Sequence, residues 1–159
     1  MGMCGVRPGV RGRIYSGGMA DMTRAEAVEF LGAGTRTGIL ATASPTGAPH
    51  AAPIWFVVDD DDLVFTTGRD TVKGRNLLAG HRAALSVDIA EYPYDFVAVR
   101  GPVTVDEDAE DLLPWATRIA RRYVPAGRAE EYGRRNAVPG ELLCRLWIDR
   151  ISGGRDIAL

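Results

Sequence analysis

The chain is short of lysine, cysteine and histidine, and each shortage excludes something. Of its 19 basic residues only Lys73 is a lysine; the other 18 are arginines. GC-rich codon usage explains a general scarcity of lysine, but not why one is kept. The two cysteines, Cys4 and Cys144, match neither a metal-ligand spacing nor a disulfide framework, so the fold is expected to stand on packing. The only histidines are His50 and His81. No metal cluster, acid pair or Ser-His-Asp set stands in a recognisable context, which leaves a hydrolase unsupported, catalytic residues unassigned and a metal site unexpected. Apolar runs stay well below the roughly 18 residues that cross a bilayer. Residues 1–22 contain Arg7, Arg11 and Arg13 without the apolar stretch of a signal peptide, so a cytoplasmic protein with no membrane partner is expected. The formal net charge of -2 argues against nucleic acid as a partner.

What is present suits one domain: 159 residues, 46% hydrophobic and 25% charged. The Gly- and Arg-rich stretch 1–22 has no periodicity and reads as a flexible arm or an over-long start, with Met1, Met19 and Met22 as alternative first residues; the domain is then 23–159. Thr23 followed by Glu26 predicts a capping box, and Ala27, Phe30 and Leu31 give the helix behind it an apolar stripe. From Thr37 the period changes to alternation. Segments 37–44 and 49–58 flank the Pro45-Thr46-Gly47 turn as a hairpin, and residues 59–62, four aspartates, are expected in a second turn because they do not suit a core. Further strands are predicted over 63–67, 82–89, 96–105 and 142–151, with helices over 72–79, from the acidic stretch 106–111 to Tyr123 with Pro114 in the first turn, and over 128–136. Six closely spaced strands with peripheral helices predict a mainly β fold, an antiparallel barrel. The glycines form no dinucleotide fingerprint or P-loop.

The segment with most chemistry in it is Phe65-Thr66-Thr67-Gly68-Arg69-Asp70-Thr71-Val72-Lys73-Gly74-Arg75-Asn76-Leu77. A strand ends in two hydroxyls and turns through glycine into a helix whose first backbone N–H groups and partial positive charge favour an anion. Lys73 adds a full charge, a compact ammonium in a chain that otherwise uses arginine. Asn76 lies three residues further on, on the same face, where its amide suits a phosphate oxygen or a sugar-like hydroxyl; Arg69 and Arg75 would form an outer rim. The plain structural alternative is a capped helix with a solvated lysine. In the strand before it, alternation sets Pro49, Ala51, Pro53 and Trp55 on one face and His50, Ala52, Ile54 and Phe56 on the other. Pro53 removes a ladder donor and frees neighbouring backbone groups for a ligand. Trp55 and His50 each have an ordinary reading as core or structural residues.

The order of residues from Leu40 to Asp88 resembles the pyridoxamine 5'-phosphate oxidase-like split β-barrel family. Within that family TVKGRNL and HRAALSVD, as they stand here, are most similar to the actinobacterial branch that uses the deazaflavin coenzyme F420. The resemblance implies a six-stranded split barrel of the FMN-binding type that forms a homodimer with cofactor sites at the interface. It implies that His50, Pro53, Ile54 and Trp55 line the ring, that Thr66 and Thr67 lie beside the ribityl chain and phosphate, and that Lys73 with Asn76 holds the phosphate. Trp147, Arg150 and Arg155 are the candidates for groups donated to the partner's site. The vitamin-synthesis oxidase itself is disfavoured, because its C-terminal substrate-phosphate arginine pattern is not found. Three functions follow: an oxidoreductase passing a hydride between coenzyme F420 and a small organic substrate, an FMN flavoprotein, or a non-enzymatic flavin- or haem-binding module using His50 or His81.

Overall fold

The computed structural model describes residues 20–159, so most of the expected arm and its alternative starts lie outside the described residues. From Ala20 onward the chain is paired: β1 (Ala20–Asp21) runs antiparallel to β9 (Arg150–Arg155), and the Met22 N–H donates to the Gly153 carbonyl at 3.0 Å. The capping box forms as the sequence predicts. Thr23 accepts from the Glu26 N–H at 3.3 Å, Glu26 accepts from the Thr23 N–H at 2.8 Å, and α1 (Arg24–Gly32) buries Ala27, Phe30 and Leu31.

The remaining strands are β2 (Gly38–Ala43), β3 (Pro49–Ile54), β4 (Val57–Asp59), β5 (Asp62–Gly68), β6 (Arg82–Ile89), β7 (Asp95–Asp106) and β8 (Glu141–Leu146). They lie in the order β3-β2-β6-β7-β8-β5-β4, with every pairing antiparallel and β9 added against β7. The sheet curls around an apolar core that includes Leu40, Phe56, Leu63, Phe65, Leu77, Leu85, Val97, Val99, Leu142 and Leu146, which makes the fold a split β-barrel. Burying such side chains, at about 25 cal/mol per Å² of apolar surface, is its main source of stability.

Six strand segments were expected, and all six are present, but two are divided. The expected strand 49–58 breaks after Ile54, so that β3 pairs with β2 and β4 with β5. The break is held from outside by α3 (Leu112–Tyr123): the Phe56 N–H donates to the Tyr123 hydroxyl at 3.3 Å, and Arg122 donates to the carbonyls of Phe56 (2.9 Å) and Leu31 (2.7 Å). The expected strand 142–151 breaks into β8 and β9 where it crosses β7. Residue 101 faces the Trp147 carbonyl so closely that a Cβ would collide with it, and only glycine allows the crossing. The aspartate turn is also shorter than expected. Only Asp60 and Asp61 turn; Asp59 ends β4 as the partner of Arg145 and Arg118, and Asp62 is buried because its carboxylate accepts from the Ile148 N–H at 2.9 Å.

Helix α2 (Val72–Gly80) inserts Leu77 into the core, α3 packs Ile119 against Val57 and Val64 on the outside of the sheet, and α4 (Ala129–Asn136) lies against α3.

Candidate functional site

The end of β5 and the start of α2 form one wall of a cavity of about 470 Å³, well within the range of small-molecule sites. Their junction is set by hydrogen bonds local to the sequence. Thr71 caps α2 by accepting from the Gly74 N–H at 3.0 Å while its own hydroxyl donates to the Gly68 carbonyl at 2.8 Å. Gly74 packs so tightly on Gly68 that a side chain there would collide with the Gly68 carbonyl. The first turn of α2 therefore sits directly on the strand end, and Thr66, Thr67, Gly68 and Thr71 line the cavity there. Lys73, half-buried, lines the same cavity and takes part in no salt bridge among the described residues.

The opposite wall comes from the break between β3 and β4. Pro53, Ile54 and Trp55 line it, with Ile119 from α3. Trp55 is half-buried and stacks on Tyr123 with ring centroids 5.1 Å apart and planes 4° apart. The rings are thereby fixed before any ligand arrives. Burial pushes the Tyr123 phenol above its ordinary range, an effect opposed by its hydrogen bond to the Phe56 backbone and by the charge of Arg122.

Six of the eight residues expected to hold a cofactor thus meet in one cavity: Pro53, Ile54, Trp55, Thr66, Thr67 and Lys73. Two do not line it. Asn76 is buried, and its amide donates to Thr42 at 3.1 Å, tying α2 to β2 inside the barrel. His50 stands on β3 opposite Thr42. His81 is the left-handed cap residue of α2 and likewise lies outside the cavity. Trp147 is exposed and donates to Thr104 at 3.0 Å, Arg150 is exposed, and Arg155 lies 4.0 Å from Glu26.

The sequence reading missed Thr37, Asn136 and, above all, Glu141. Glu141 opens β8 directly opposite Gly68, with its Oε2 beside that strand end. Burial raises the Glu141 carboxyl above its usual range, an effect opposed by Thr66 and by the charge of Lys73. Nothing in the local pattern around Pro139-Gly140-Glu141 marks this residue; only the β5–β8 register brings it to the cavity.

The donor set suits a phosphorylated ring. The helix start, the threonines at the strand end and an ammonium bring polar groups and positive charge to one end, while proline, isoleucine and tryptophan offer a flat apolar wall at the other.

Comparison with known proteins shows what the chain as a whole is similar to. A family model described as pyridoxamine 5'-phosphate oxidase matches residues 23–140. A curated pyridoxine/pyridoxamine 5'-phosphate oxidase from Azorhizobium caulinodans is 35% identical over 107 residues, which are 67% of this chain but 48% of that protein, so the chain spans about half the length of the relative. Among solved structures, a conserved hypothetical protein from Mycobacterium tuberculosis superposes with a TM-score of 0.72 at 24% identity, covering 87% of this chain and 89% of that one. A protein described as an F420 reductase superposes with a TM-score of 0.59 at 25% identity, covering 77% and 94%.

Proposed function

The chain belongs to the pyridoxamine 5'-phosphate oxidase family, and from that premise we propose that it is an oxidoreductase using a phosphorylated flavin-type cofactor, coenzyme F420, to reduce a small organic substrate. The observation that supports this reading is the pairing in one cavity of the Lys73 end, with its hydroxyls and helix N–H groups, and the Pro53-Ile54-Trp55 wall. The similarity to a protein described as an F420 reductase favours the deazaflavin. FMN is the second reading, favoured by the curated relative and by the compactness of the basic end, which is enough for a short terminal phosphate.

When bound, such a cofactor supplies the hydride chemistry itself. The protein's part is binding and orientation. Lys73 and the start of α2 would hold the phosphate, Thr66 and Thr67 would lie beside the chain that links phosphate and ring, and Trp55, fixed by Tyr123, would face the ring. Ile54 and Ile119 keep water from that side. The proposal includes a homodimer in the cytoplasm, with the exposed Trp147, Arg150 and Arg155 facing the partner's site.

Titration of the purified chain with coenzyme F420 and FMN, followed by fluorescence, tests it. Binding at micromolar concentration that Lys73→Ala weakens by about 100-fold, the order expected when a charged hydrogen-bond donor to phosphate is lost, is the expected result. Tight FMN binding without F420 binding overturns the deazaflavin reading, and no binding of either overturns the proposal.

A further inference from the structure

The phosphate end of the cavity holds one charge of each sign. Lys73 lines it from α2 and Glu141 from β8; both are half-buried, and neither belongs to a salt bridge among the described residues. A carboxylate beside an anion site is a cost that a pocket built only for affinity would not keep. Its Oε2 stands over the end of β5, 3.7 Å from where a Cβ of residue 68 would lie. Other charges do not cancel it. On its far side a neighbouring hollow is lined by Arg69 together with Glu107, Asp108 and Glu110, and Arg69 is already paired with Glu107. On its own strand the nearest titratable group is Cys144, whose buried thiol is neutral and pushed up to about 12.

With Lys73 and Glu141 ionised, the side-chain charge at this end sums to zero and only the partial positive charge of the α2 N-terminus remains. A phosphate with a single negative charge fits that field. A phosphate with two does not, because its second charge faces Glu141 without a second cation.

We propose that Glu141 is a specificity residue that makes the cavity select a phosphodiester, which carries one negative charge, over a terminal phosphomonoester, which carries close to two. The inference rests on the reading of this cavity as the cofactor site, and it deepens that reading: coenzyme F420 joins its ring to its tail through a phosphodiester, whereas FMN ends in a phosphomonoester. Lys73 supplies attraction to any phosphate, and Glu141 subtracts from it for the doubly charged one.

The test is a set of dissociation constants, measured by fluorescence with the full chain at pH 8 and low salt, for riboflavin, FMN, the FMN monomethyl ester and coenzyme F420. Riboflavin shares the ring of FMN without its phosphate and so reports the ring wall alone. In the wild-type protein the methyl ester is expected to bind about tenfold tighter than FMN, a difference of about 1.4 kcal/mol. Glu141→Gln is expected to tighten FMN by about the same factor while leaving riboflavin unchanged. A wild-type protein that binds FMN as tightly as its methyl ester overturns the proposal without any variant. So does a Glu141→Gln protein, folded by circular dichroism, whose FMN-to-riboflavin ratio is that of the wild type. Failure of all four compounds to bind overturns the cofactor site itself, a different outcome from binding with the wrong preference.

Discussion

Asp59 shows how much one side chain can hold. Its carboxylate accepts from Arg145 at 2.7 Å and from Arg118 at 2.8 Å, joining β4 to β8 and α3, and Arg145 first and Arg118 second lower its pKa from the ordinary 3.8. A carboxyl with a lowered folded-state pKa contributes stability that is fully present above the unfolded value and disappears as pH falls through the folded one. Asp59→Asn is therefore expected to lose about 1 kcal/mol near pH 7, the scale of a partly exposed ion pair. The difference from wild type should close below the ordinary carboxylate range, and urea unfolding at a series of pH values checks it; an equal loss at pH 2 would contradict this account. The sequence placed Asp59 in a turn, because four consecutive aspartates carry no mark of which will find a partner. Asn76 failed for a similar reason: helical spacing put it on the face of Lys73, but the position of α2 on the barrel turned its amide to Thr42. Lys73 was legible because its signal is local, a capped helix start within a few residues of a strand end.

At the scale of elements, the junction of β5 and α2 depends on close approach. Gly74 costs about 1 kcal/mol in helix propensity relative to alanine, yet the contact with the Gly68 carbonyl leaves no space for a methyl group. Gly74→Ala is expected to destabilise the fold by about 1–3 kcal/mol, as overpacking does, and to weaken cofactor binding, because it must lift the first turn of α2 off the strand that carries Thr66 and Thr67. Differential scanning calorimetry and ligand titration on the same sample check both effects; a variant as stable as wild type would show that the approach is not a constraint. Helix positions and the first hairpin were readable from capping residues and periodicity. The two strand breaks were not. An unbroken apolar alternation looks the same whether its halves pair with one neighbour or two, and it is Tyr123 and Arg122, distant in sequence, that hold the bend at Phe56.

For the whole molecule the proposal of a homodimer predicts a solution mass of twice 17.1 kDa by light scattering. Replacement of exposed Trp147 by Ala is expected to shift that mass toward one chain; a wild-type monomer that binds cofactor would separate the site from dimerisation. Composition and pattern alone determined that this chain forms a mainly β barrel with peripheral helices, and the capping signal at Thr71 determined the helix start that carries Lys73. Those signals lie between residues close in the chain, where propensity and capping act. Tertiary structure alone decided which distant side chains share the cavity. The antiparallel register sets Glu141 against Gly68, and a shift of one residue would send it to the other face of the sheet. The sequence could name the cation of the site, but the charge that balances it arrives only when the last part of the chain pairs with β5.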